Sequence, residues 1–215
     1  MDNPVDADVL QRDHGSVSSE QIDLRTILRQ STHAEHVRLN RHPLLRRLTQ
    51  PDLTLPHYIR IVEAYSHFYR CIEERILQAA PVPGFSYEPR RKSAWLDSDL
   101  KHLGNLTPEP PQLAQQHWDI GPINGIGELA GVLYAIEGST LGGQVIGRHL
   151  ARHLHLNADS GARFFNAYGD ETQVRWQAFC VWLQTLNEQS DEVAHAQTSA
   201  RQLFRHLEAL LDAYT

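Results

Sequence analysis

Leu133-Tyr-Ala-Ile-Glu-Gly138-Ser-Thr-Leu-Gly142-Gly143-Gln-Val-Ile146 lies within a stretch whose apolar spacing predicts one long helix, from about Asn124 to His155. Gly138, Gly142 and Gly143 fall in mid-helix, where each costs roughly 1 kcal/mol relative to alanine. Gly127, Gly131 and Gly147 extend the pattern towards both ends. A bare glycine face lets a helix bend and lets a flat ligand lie against its main chain. Close helix–helix packing is the competing reading, because Gly138-x-x-x-Gly142 suits that geometry too. A nucleotide-phosphate reading is weaker: the segment holds no lysine, no G-x-x-x-x-G-K-[ST] and no preceding strand. Glu137, just before the first glycine, reads as a local cap or pair, with a buried acid as the alternative.

Outward from this segment the pattern stays helical. Leu24, Ile27, Leu28, His36 and Leu39 fall mostly at three- and four-residue steps on one stripe, predicting a first helix that ends near Pro43. A second starts near Thr54, with Pro56 in its first turn and the stripe Tyr58, Ile61, Val62, Tyr65, Phe68, Tyr69, Ile72 and Ile76. The tyrosines and phenylalanines of that stripe read as core. A shorter helix covers Ser93 to Leu103, and a proline- and glycine-rich connection runs from Asn105 to Gly125. Asp159-Ser-Gly opens a helix ending near Gly169; Glu171 to Asn187 and Asp191 to Ala213 form the last two. Strand patterns are nearly absent. The expectation is all-α: a flexible polar arm over 1–20, then a single domain of about seven helices over 21–215.

Composition narrows the function. The 215 residues carry 20 Lys plus Arg against 26 Asp plus Glu, a net charge of −6, which disfavours a general nucleic-acid binder. No apolar run approaches a membrane span, and the start has neither basic nor apolar signal character, so a cytoplasmic location is expected. Two cysteines, Cys71 and Cys180, cannot build a sulfur-ligated metal site and read as small buried hydrophobes. Thirteen histidines leave imidazole and carboxylate as the available metal ligands.

Among them His36 shares a predicted face with Leu28, Thr32 and Leu39. A histidine on an apolar face is usually a satisfied core residue. It is also what axial ligation of a haem iron requires, provided another group orients the ring. Glu35 faces about 100° away, so that group must be a different residue. His33 lies at the rim of the stripe.

Thr32-His-Ala-Glu-His36-Val-Arg-Leu39, followed about a hundred residues later by Gly138-Ser-Thr-Leu-Gly142-Gly143, resembles haem oxygenase. Within that family the likeness is to the bacterial branch associated with bacteriophytochromes, where Tyr-x-x-Glu-Gly-Ser-Thr-Leu-Gly-Gly is typical. Phe164-Phe-Asn-Ala-Tyr168-Gly169 and Arg175-Trp176-x-x-Phe179 look like the same branch. The resemblance implies haem sandwiched between an N-terminal helix and a kinked glycine-rich helix. It implies His36 as the iron ligand and Gly138, Ser139, Gly142 and Gly143 as the catalytic distal face. Arg29, Thr32, Tyr134 and Arg175 become further cofactor-binding candidates, the two arginines for the propionates. Haem would be both cofactor and substrate, opened at a meso carbon to biliverdin, CO and free iron. O₂ and a ferredoxin- or reductase-like donor would supply oxidant and electrons, and a bacteriophytochrome apoprotein could receive the biliverdin. Animal members carry an aspartate after the first glycine, where this chain has Ser139; Arg175, Asp170 and Tyr168 are candidates to compensate. Arg38, Arg41, Arg46 and Arg47 form a basic cluster that reads as a solvated face, with donor docking as the alternative.

Three rivals remain at this point. A di-iron oxidase wants two Glu-x-x-His pairs, and only Glu192-x-x-His195 is found; His149-x-x-x-His153 lacks a third ligand. A haem carrier or sensor would use the same histidine without degrading the ring. A thiamin-degrading enzyme of related fold would need a placed nucleophilic cysteine.

Overall fold

The computed structural model describes residues 23–79, 81–82, 84–104 and 120–215; the expected arm and most of the Asn105–Gly125 connection lie outside them. The described residues form α1 (Leu24–Ser31), α2 (His33–Arg41), α3 (Leu55–Gln78), α4 (Ser93–Gly104), α5 (Ile126–His153), α6 (Arg163–Asn166), α7 (Thr172–Gln184) and α8 (Ser190–Ala213), with short 3-10 turns and no strand. No helix among them is long and apolar enough to cross a membrane. The all-α expectation is met.

The helix expected to run unbroken past Leu39 is two helices. The Thr32 hydroxyl donates to the Leu28 carbonyl at 2.7 Å, and the Thr32 amide turns to the Leu28 and Gln30 carbonyls. Such back-bonding tightens and bends a helix, and here it ends α1. The predicted row therefore divides. Leu28, Thr32 and Leu39 are buried, whereas His36 keeps an exposed face. Glu35 is the buried one, accepting a hydrogen bond from Arg205 of α8 at 3.0 Å. At the other end of α1, the Asp23 carboxylate accepts from the Thr26 amide, which holds its pKa below the ordinary range.

Helix α5 stays helical through every glycine and packs along α8. Ala196 and Ala200 of α8 are fully buried, and the Ser199 hydroxyl donates to the Glu128 carbonyl at 2.9 Å. Helix α3 lies against α4, while α6 and α7 pack on α5. The Glu192 carboxylate accepts from the Gly127 amide at 2.6 Å, capping α5 from α8. That carboxylate, from the single Glu-x-x-His pair, is thus engaged structurally.

Candidate functional site

Helices α2, α3, α4, α5, α6 and α8 line a cleft that is partly open to solvent. His36, Leu39 and Asn40 line it from α2, and Gly138, Ser139, Gly142 and Gly143 line it from α5. Leu203, Phe204 and Leu207 of α8 and Phe164 and Phe165 of α6 add apolar walls. Tyr65, Phe68 and Tyr69 of α3 also line it, which corrects the reading of that stripe as core alone: these side chains pack inward and wall the cleft at once. The site is rich in aromatic side chains and nearly uncharged.

The glycines divide by cause. A Cβ on Gly127 would be driven into the Glu192 main chain, and one on Gly131 into the Ala196 carbonyl and the Ser199 hydroxyl. At Gly143 a Cβ would stand 2.9 Å from the Phe165 carbonyl oxygen. Helix packing therefore explains these three. Gly138 has ordinary room, 3.7 Å from the Trp176 ring, and Gly142 has nothing within 4 Å. Nothing in the protein requires these two to lack a side chain, and both line the cleft.

His36 stands edge-on to Phe204, ring centroids 6.2 Å apart, and its Nδ1 is 3.3 Å from the Asn40 side-chain amide. Asn40, one turn along α2, is the ring-orienting neighbour that the sequence reading left unnamed; the i, i+4 spacing is the signal that could have found it. Partial burial, assisted by His33, lowers the His36 pKa, favouring the neutral imidazole that a metal requires. Ser139 donates to the Ile136 carbonyl at 2.8 Å and lies 3.3 Å from the Tyr69 hydroxyl.

The other four candidates do not line the cleft. Arg29 is exposed, and Thr32 is buried on its Leu28 contact. Tyr134 is half-buried beside Trp176, centroids 6.0 Å apart, and burial raises its pKa. Arg175 pairs with Glu171 at 3.0 Å and lies over the Tyr168 ring. The cluster Arg38, Arg41, Arg46 and Arg47 is exposed, with Arg38 paired to Glu208 at 3.1 Å. His149 and His153 stack at 4.1 Å, and His149 is bound to the Gln50 carbonyl. Both cysteines are half-buried, and burial pushes the Cys180 thiol up, away from nucleophilic thiolate.

Glu137 is the buried acid of the alternative reading, not a local cap. It is 1% exposed and meets Arg90 and Lys92 at 2.7 Å each, while the Tyr168 hydroxyl donates to it at 3.0 Å. Lys92 lines the cleft. These contacts span distant parts of the chain, so no local pattern announced them.

The comparisons agree with this geometry. The family model described as "Heme oxygenase" matches residues 22–213. A haem oxygenase from Xanthomonas campestris pv. campestris (strain 8004) is 25% identical over 175 residues, covering 79% of this chain and 98% of that protein. The NO- and CO-bound haem oxygenase structures from Neisseria meningitidis align with a TM-score of 0.70 at 25% identity, covering 90% of this chain and 92% of theirs. The haem complex of haem oxygenase-1 from Synechocystis sp. PCC6803 shares the fold, with a TM-score of 0.66 at 14% identity over 89% of this chain and 92% of that one. With a match spanning nearly the whole chain, this protein belongs to the haem oxygenase family, whose members degrade haem.

Proposed function

We propose that the cleft binds haem between α2 and α5 and that the protein opens it oxidatively to biliverdin, CO and free iron. Haem is the substrate here, and its iron is the centre at which O₂ is bound and reduced. The carrying observation is the pair Gly138 and Gly142, which the protein's own packing leaves free and which share the cleft with His36.

His36 would supply the nitrogen that holds the haem iron. Asn40 orients the ring: with its amide turned so that the carbonyl oxygen faces Nδ1, it accepts the Nδ1–H and leaves Nε2 for iron. On the α5 side, Gly138 and Gly142 keep side chains out of the cleft where a flat ring would lie, and Gly143 lets the α6 backbone close in behind. Ser139 and Tyr69 present hydroxyls that hold water there. Apolar walls of Phe164, Phe165, Phe204 and Leu207 exclude bulk solvent. The chain carries no flavin or nicotinamide fingerprint, so electrons come from a separate donor. By its sequence likeness we place the biliverdin as chromophore for a bacteriophytochrome in the cytoplasm.

The test is to mix the protein with haemin and an electron donor in air and follow the Soret band. Bleaching with a chromatographically identified biliverdin supports the reading. A bound but unchanged haem spectrum under reducing conditions makes the protein a haem carrier and overturns it.

A further inference from the structure

Lys92 is the single charged side chain among the described residues lining the cleft, and only 1% of it is exposed. Its Nζ donates to three acceptors: the Glu137 carboxylate at 2.7 Å, the Arg90 carbonyl at 2.9 Å and the Tyr168 hydroxyl at 3.1 Å. Three acceptors match the three protons of an ammonium, and the Tyr168 proton is already spent on Glu137. The rings of Tyr87, Trp95 and Tyr168 surround the cation, their centroids 5.4–5.8 Å from Nζ.

The charge balance around it is positive. Glu137 is met by two cations, Arg90 and Lys92. Glu73, on α3, is taken by the Tyr87 hydroxyl, the Lys92 and Ser93 amides and Arg91. The cleft lining itself holds no carboxylate. A buried, fully bonded cation is costly to place and more than a loop tie needs, since Arg90 already anchors the same turn to Glu137.

We propose that the Lys92 ammonium, held by Glu137 and Tyr168, is the electrostatic group of the glycine side of the cleft and stabilises negative charge developing on oxygen bound there. It acts as a fixed, pre-oriented charge in a low-dielectric wall and exchanges neither proton nor electron. In this chain the cation does part of what a carboxylate at Ser139 would do by organising water. The proposal rests on the haem reading of the cleft.

The test is the acid–alkaline spectral transition of the ferric haem complex, with haem affinity and circular dichroism measured alongside. Lys92→Met should raise the midpoint by about one pH unit, a tenfold change in ionisation constant, and Lys92→Arg should restore it. Glu137→Gln should move the midpoint the opposite way, downward, which a loss of packing alone would not do. If Lys92→Met fails to fold, the Glu137→Gln shift decides. Midpoints unchanged from wild type in the folded variants, with haem still bound on His36, overturn the proposal and leave the haem reading standing. Failure of the wild-type protein to take up haem overturns both.

Discussion

At Gly142 a single hydrogen atom stands where any other residue would put carbon, and nothing in the protein fills the space. Gly142→Ala is therefore expected to keep or raise stability by up to about 1 kcal/mol, because alanine is the better helix former, while slowing haem turnover several-fold. Gly131→Ala, on the same helix, should cost about 2 kcal/mol or more by forcing α5 off the α8 backbone. Urea unfolding of both apo variants separates the two roles; equal destabilisation would show that both glycines serve packing. His36→Ala should lose the axial imidazole spectrum and weaken haemin binding by at least tenfold, about 1.4 kcal/mol. An unaltered ferric spectrum in that variant would reassign the ligand. The glycine motif could be seen in the sequence, but it could not be divided there: packing and ligand clearance demand the same residue type.

At the scale of elements, α6 shows how a short helix is held against the cleft. The Asp99 carboxylate of α4 accepts the Arg163 and Phe164 amides at 2.7 and 2.8 Å, pinning the start of the helix that carries Phe164 and Phe165. Burial outweighs those hydrogen bonds and pushes the Asp99 pKa up to about 6, above its unfolded value near 3.8. A raised acid pKa means that the folded state binds the proton more tightly, so this group adds stability as pH falls through 6 and withholds it above. Between pH 7.5 and pH 5 the gain is about 1.4 kcal/mol. Asp99→Asn should remove that part of the slope in urea titrations at the two pH values; an identical slope would show that Asp99 is ionised throughout. Most helices could be read from periodicity, with ends shifted by a few residues. The break at Thr32 could not, because it depends on which way one hydroxyl turns, towards the Leu28 carbonyl or towards solvent.

At the scale of the whole molecule, the cleft lies among six helices that the ligand would tie together. Haemin at a hundredfold excess over its dissociation constant should stabilise the fold by about 2.7 kcal/mol, read as a rise in melting temperature that His36→Ala reduces. An unchanged melting temperature with haemin bound would mean that the unfolded chain binds it equally well.

From the sequence alone come the all-α class, His36 as the candidate ligand, the glycine run and the family likeness, because periodicity and short motifs are local and survive without coordinates. Tertiary structure alone decided that Gly138 and Gly142 face a cleft with no packing need for a bare backbone, while Gly127, Gly131 and Gly143 serve packing, Gly143 lining the cleft as well. It alone left Arg29, Thr32, Tyr134 and Arg175 outside that cleft and set Lys92 within its wall against Glu137. The physical reason is range. Helical faces follow from neighbours three and four residues away, whereas a buried charge finds its partner only when distant segments close around it and exclude the water that would otherwise have served.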